Sequence, residues 1–142
     1  MLKKAIIIVA IVAIGGFVLI QLVPFGRNHT NPPVVQEPNW DAPATRALAV
    51  RACFDCHSNE TVWPWYSNIA PASWLVARDT YEARDYLNFS DWVPGDVDLE
   101  DLQEVISEGE MPPAQYTLVH AQARLSDAER QQLLHGLQKS LQ

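Results

Sequence analysis

The sequence predicts an all-α chain: a small helical domain behind one membrane-length helix. Three observations predict it. Apolar residues from residue 43 onward recur at helical rather than strand spacing, an uncharged apolar run occupies the N-terminal region, and the only two cysteines share one pentapeptide, Cys53-Phe54-Asp55-Cys56-His57. At 142 residues the chain has room for one small domain and an appendage.

The appendage comes first. After Lys3 and Lys4, the stretch Ala5 to Val23 carries no charge and only one polar side chain, Gln21. As a helix it would be about 28 Å long, against a hydrocarbon core of about 30 Å. A cleaved signal peptide usually has a shorter apolar region ending in a small-residue cleavage site, which is missing here, so an uncleaved anchor over residues 1–23 is the stronger expectation. The two lysines keep the N-terminus inside and send the remainder across, which predicts a single pass through a bacterial cytoplasmic membrane with the domain on the periplasmic side. Taking Lys3 and Lys4 from the 10 basic residues leaves 8 against 17 acidic ones, a net charge of about −9 on the exported part. That argues against nucleic acid as a partner and suits either plain solubility or a basic docking partner.

Residues 24–42 (PFGRNHTNPPVVQEPNWDA) are rich in proline and turn formers, and predict an extended tether. Residues 43–142 then hold four predicted helices. The first opens at Pro43, a good first helical position, and aligns Leu48, Ala52 and Cys56. The second covers about 72–87, with Trp74, Ala77 and Tyr81 on one side. Acidic charge at Asp96, Asp98, Glu100 and Asp101 favours the start of a third, about 97–108, whose apolar face is Leu99, Leu102, Val105 and Ile106 and which Gly109 stops. A capping box, Ser126 to Glu129, opens the last, which runs to about Leu141 with Leu133, Leu134, Leu137 and Leu141 inward. Roughly 100 residues in four short helices make a thin core, and a bound cofactor would supply what is missing.

The pentapeptide is C-x-x-C-H, the attachment motif for c-type haem. On a helix the positions i, i+3 and i+4 share a face, so Cys53, Cys56 and His57 point toward one ligand. Two thiols can bond the porphyrin vinyl groups while the imidazole reaches the iron. A thioredoxin-like pair would need a βαβ surround, and a zinc site would need a fourth ligand that His29, His120 and His135 do not supply at paired spacing. A bare disulfide is chemically possible in an exported protein. A sixth coordination position would remain, and Met111, in a loop stiffened by Pro112 and Pro113, is the candidate for it. Its competitors are His120 and then His135, either of which would give a bis-histidine haem of lower potential; the alternative use of Met111 is core packing.

The order of these parts, a helix ending in CxxCH, a G-x-MPP loop and "LSDAERQQLLHGL" as a last helix, resembles a monohaem cytochrome c. More closely, "CFDCHSNETVWPWYSNIAPASWLVARDTYEARDYLNFSDW" with "SEGEMPPAQYTLVHAQARLSDAE" is similar to the small cytochrome-like proteins of the haem-binding domain family, over about residues 39–137. The resemblance implies a cytochrome c-like fold around one covalent haem c, attached at Cys53 and Cys56, with His57 as proximal and Met111 as distal iron ligand. It also implies that the Pro71 carbonyl orients the proximal imidazole. The Tyr or Trp common in the last helix of mitochondrial-type cytochromes is absent, so contact between the first and last helices is expected to rest on leucines.

Trp63, Trp65 and Tyr66 read as core that also walls the haem, with an exposed docking patch as the rival use. Asp55 reads as solvated. The expected activity is that of an electron carrier rather than an enzyme, shuttling single electrons between redox partner proteins in the same membrane while the tether lets the domain swing. A sensor or peroxidase with a labile sixth ligand, and a structural haem subunit, are the alternatives.

Overall fold

The computed structural model describes residues 2–142. It is helical, with no strand among the described residues beyond an isolated bridge between Gln36 and Asp91. Seven α-helices follow in order: α1 (Leu2–Ile20), α2 (Pro43–Ala52), α3 (Phe54–His57), α4 (Ala72–Tyr86), α5 (Leu99–Ser107), α6 (Ala114–Val119) and α7 (Asp127–Ser140). Short 3-10 turns occupy Trp65–Asn68 and Ala121–Ala123. The all-α prediction holds, and so does the capping box of α7, where Ser126 and Glu129 satisfy each other's backbone N–H groups. The sequence reading missed α6, whose 6 residues are too few to show a period.

The chain forms two compact units, and they cut across the linear order of anchor, tether and domain. The first consists of the residues up to Thr30 together with Trp63–Asp79; the second is Asn31–Val62 with Thr80–Gln142.

The first unit is built on α1, a helix of 19 residues with mean hydropathy 2.4 and no buried residue, long and apolar enough to span a membrane. Just past its end, the Gln21 amide makes a two-point contact with Ala70: Nε2 donates to the Ala70 carbonyl at 3.0 Å and Oε1 accepts the Ala70 N–H at 2.9 Å. Gly26, at φ 76°, lies so close to the Ser73 carbonyl that any Cβ there would overlap it. His29 approaches the Ser67 carbonyl and stacks on Trp63 with ring centroids 4.7 Å apart. Residues 21–29 are therefore laid along 63–73.

The second unit holds the core. Leu48 and Ala49 of α2, Phe54 of α3, Leu87, Phe89, Trp92 and Val97 from the α4–α5 connection, Leu102 and Ile106 of α5, and Leu133, Leu137 and Leu141 at the C-terminal end form one buried cluster. Burying side chains of this size stabilises by about 1.5–3 kcal/mol each before entropy is counted. α2 meets α7 where Gly136 faces the Thr45 side chain, so the contact between the first and last domain helices depends on a missing Cβ as well as on the expected leucines. Thr45 in turn donates to Asp41 at 2.6 Å, and the Asp41 N–H donates to Ser140 at 3.0 Å.

Two expectations change. The proline-rich segment is extended but not free: besides the contacts of 21–29, Asn31 donates to the Thr61 carbonyl, Pro33 accepts from Asn59, Val35 and Gln36 donate to the Ser90 carbonyl, and Trp40 packs on Phe54 and Phe89. Prolines hold it extended, and several of its polar groups find partners. The buried face of α4 runs through Ser73, Ala77 and Thr80 rather than Trp74, Ala77 and Tyr81, because Gly26 approaches at Ser73 and Ala77 and only small side chains fit.

Candidate functional site

The pentapeptide sits at a break in the helix. α2 ends at Ala52, and Cys53 adopts φ −122°, ψ −37°, outside the helical range, before α3 begins. The Cys53 carbonyl nevertheless accepts the N–H groups of Cys56 at 3.1 Å and His57 at 2.8 Å, which closes one turn and carries Cys56 and His57 back beside Cys53. What orients this turn is Phe54. It is 3% exposed, stacks on Phe89 at 5.5 Å and lies under the Arg46 guanidinium. With Phe54 driven into the core, Cys53, Cys56 and His57 lie on the half-exposed side of the turn.

Neither cysteine is in a disulfide. Burial, helped by the neighbouring Cys56, pushes the Cys53 thiol up to about 12, and it stays neutral at physiological pH. Among the described residues no group of three or more His, Cys, Asp or Glu side chains could hold a bare metal ion.

His57 is held at two points. Its Nδ1 lies 3.1 Å from the Leu87 carbonyl, and its own carbonyl accepts the Phe89 N–H at 2.8 Å. A carbonyl can only accept, so Nδ1 carries the proton and Nε2 keeps its lone pair. Burial holds the imidazole below the ordinary histidine range against the smaller opposing pull of the Leu87 and Ala83 carbonyls. A neutral ring with Nδ1 fixed and its lone pair on Nε2 has the chemistry of a metal ligand. The carbonyl that fixes it belongs to Leu87, however, and not to Pro71. Pro71 opens the first turn of α4, where its carbonyl accepts the N–H groups of Trp74 at 3.1 Å and Leu75 at 3.3 Å and is already spent.

Asp55 is half-buried and bonded rather than merely solvated. Its carboxylate accepts the Val62 N–H at 3.0 Å and the Tyr116 hydroxyl at 2.6 Å. Tyr116 belongs to α6, which begins directly after the Met111-Pro112-Pro113 loop, so this bond ties the methionine-bearing segment to the cysteine motif. Met111 itself donates its N–H to the Val105 carbonyl at 3.0 Å and leaves its side chain 36% exposed. His120 stacks on Tyr116 at 4.3 Å with Nδ1 facing Gln122, and His135 is exposed on α7.

Arg84 of α4 closes the far side of the motif, donating to the Ser58 carbonyl at 2.7 Å, to Thr61 at 2.8 Å and to Asn31 at 3.1 Å. A cavity of about 380 Å³ nearby is lined by Arg84, Tyr86, Leu87, Asp91 and Trp92 but by none of the candidate ligands. Asp55, Arg84, Leu87 and Tyr116 were invisible to sequence reasoning, since each acts through a partner at least 23 positions away or by a main-chain atom.

The aromatic run lies in the first unit. Trp63 is half-buried against His29, whereas Trp65 is 76% exposed and meets Tyr66 edge-on at 5.9 Å, so Trp65 is no part of the packed core. The core aromatics are Phe54, Phe89 and Trp92, with Trp40 packed against them.

Two cysteines outside any disulfide on one turn and a neutral imidazole with its lone pair on Nε2 fit a haem. No curated protein and no solved structure matches the chain. Residues 15–139 match the family described as haem-binding domain, a span that takes in the motif, the methionine loop and most of α7, and the chain belongs to that family.

Proposed function

We propose that this haem-binding chain is a membrane-anchored monohaem c-type cytochrome carrying single electrons between redox partner proteins. The observation that carries the reading is the fixed imidazole: His57 donates Nδ1–H to the Leu87 carbonyl, which leaves the lone pair of the neutral ring on Nε2, directly after Cys53 and Cys56 on one turn. Cys53 and Cys56 form the thioethers, His57 is the proximal ligand and Met111 the distal one. The haem, when bound, supplies reversible one-electron chemistry at iron. The chain's own residues orient and shield: Leu87 and Phe89 hold His57 from side chain and main chain, Phe54 keeps the turn facing outward, and Tyr116 holds α6 to the motif. His/Met ligation places the potential toward the upper end for haem proteins.

α1 serves as an uncleaved anchor in the bacterial cytoplasmic membrane, with Lys3 and Lys4 inside and the haem domain on the periplasmic side. An electron carrier needs no substrate pocket, and the acidic surface suits a basic redox partner.

The test is spectroscopic. The full chain, made in a host with c-type maturation, is expected to keep its haem through acid-acetone extraction, and Cys53→Ala with Cys56→Ala to lose it. Met111→Ala should convert a six-coordinate low-spin spectrum to one that binds carbon monoxide when reduced, while His120→Ala leaves it unchanged. The reverse pattern would assign the sixth position to His120. Carbon monoxide binding by the unaltered reduced protein would point to the sensor or peroxidase alternative.

A further inference from the structure

Unusually for a water-soluble face, the stretch from Trp63 to Ala77 (WPWYSNIAPASWLVA) contains no charged residue, in a chain of net charge −7. The structure ties it to the end of α1. Gln21, the residue directly after α1, pairs both of its amide atoms with the Ala70 main chain, and Gly26 admits Ser73 at a distance no other residue would allow. Leu22, Val23 and Phe25 on one strand of this contact, and Trp65, Ile69 and Leu75 on the other, are all exposed, Trp65 most among the aromatic ones at 76%. From Ala70 back to Trp65 the chain runs through extended Ile69 and a 3-10 turn, so Trp65 lies within about 13 Å along the chain of the residue paired with Gln21.

If α1 crosses the bilayer, Gln21 marks its exit. Everything bonded to Gln21 then sits at the boundary between hydrocarbon and headgroups, a layer of roughly 5–8 Å on each side of the membrane. Tryptophan and tyrosine are favoured there because the ring is apolar and the polar edge stays wet. Anionic headgroups repel carboxylates, which makes an uncharged surface the compatible one for an otherwise acidic protein.

We propose that Trp65, with Phe25 and Leu75, forms a collar that inserts into the headgroup layer of the same bilayer α1 spans. This rests on the reading of α1 as an uncleaved anchor. The collar fixes the first unit on the lipid surface rather than leaving it suspended above, and it gives the aromatic run a lipid partner in place of a haem-facing one.

The test uses the full holo chain in vesicles of phosphatidylcholine and phosphatidylglycerol. Because Cys53 and Cys56 are consumed by haem attachment, Trp65→Cys introduces a single reactive thiol for a nitroxide label, and Asp96→Cys gives a water-exposed reference. Expected is a ratio of oxygen to water-soluble nickel-chelate accessibility several-fold higher at position 65 than at 96, falling toward the reference when Gln21→Leu removes the Ala70 pairing. Equal ratios at the two positions overturn the collar, and so does strong broadening of the 65 label on oxidation of the haem, which would place Trp65 against the iron. Flotation of the unaltered chain with the vesicles is measured in parallel. A chain that floats while label 65 reads as water loses the collar but keeps the anchor; a chain that does not float loses both.

Discussion

The Tyr116 hydroxyl and the Asp55 carboxylate meet at 2.6 Å across 61 positions of sequence, and through them the segment bearing Met111 is held to the segment bearing the two cysteines. Asp55 sits inside the motif at a position that c-type chemistry leaves undefined, and this protein uses it for tertiary structure. Tyr116→Phe removes one charge-assisted hydrogen bond at a partly exposed site, with an expected loss of about 1 kcal/mol in chemical denaturation. Under the proposed ligation by Met111, the same variant should let exogenous imidazole displace the methionine sulfur faster, followed by absorbance, while Thr117→Val, one position on, should leave the rate unchanged. Phe54 is the other residue whose single role shapes the site. Phe54→Ala is expected to cost about 3–5 kcal/mol and, under the proposed covalent attachment, to lower the yield of attached haem, because the turn that carries Cys53 and Cys56 loses its anchor in the core.

At the level of elements, α7 carries two separable stabilising features. Its N-terminal box depresses Glu129 to about 2, chiefly through the Ser126 N–H, then through Arg51 and the Ser126 hydroxyl. A carboxyl depressed in the folded state stabilises above the ordinary glutamate range and loses that contribution as pH falls toward 2. Glu129→Gln should therefore lower the melting temperature at pH 7 and make no difference near pH 2, as read by circular dichroism at both. Farther along, Gly136 faces Thr45 of α2 with no room for a Cβ. Gly136→Ala is expected to cost about 1–3 kcal/mol through overpacking, and Thr45→Ala in the same chain should recover part of it. Leucines alone would not have shown this contact, because a glycine inside a helix reads as a local weakness until its neighbour is seen.

For the whole molecule, the acidic balance sets a further expectation for the proposed electron carrier: transfer to a basic partner should slow as ionic strength rises, measured by stopped-flow reduction, and transfer to a neutral partner should not. The parts legible in the sequence were the local ones. The turn that gathers Cys53, Cys56 and His57 is announced by spacing, α1 by its uncharged run, and Ser126 with Glu129 by the cap they form three residues apart. Residues that act over distance stayed hidden. The imidazole's partner was expected at Pro71 and lies at Leu87 because a main-chain carbonyl leaves no trace in residue type, and the proline-rich segment was expected free because composition reports extension without reporting what the extended backbone bonds to. One feature of the core reaches further than its stability. The His57 carbonyl accepts from Phe89, His57 Nδ1 donates to Leu87 two residues earlier, and Phe89, 1% exposed, stacks on Phe54 within the motif itself. The main chain that holds the imidazole is thus itself held by aromatic packing, so under the proposed ligation of iron by His57 a swap such as Phe89→Leu should shift the midpoint potential, and a voltammogram would double as a gauge of how well the interior is packed.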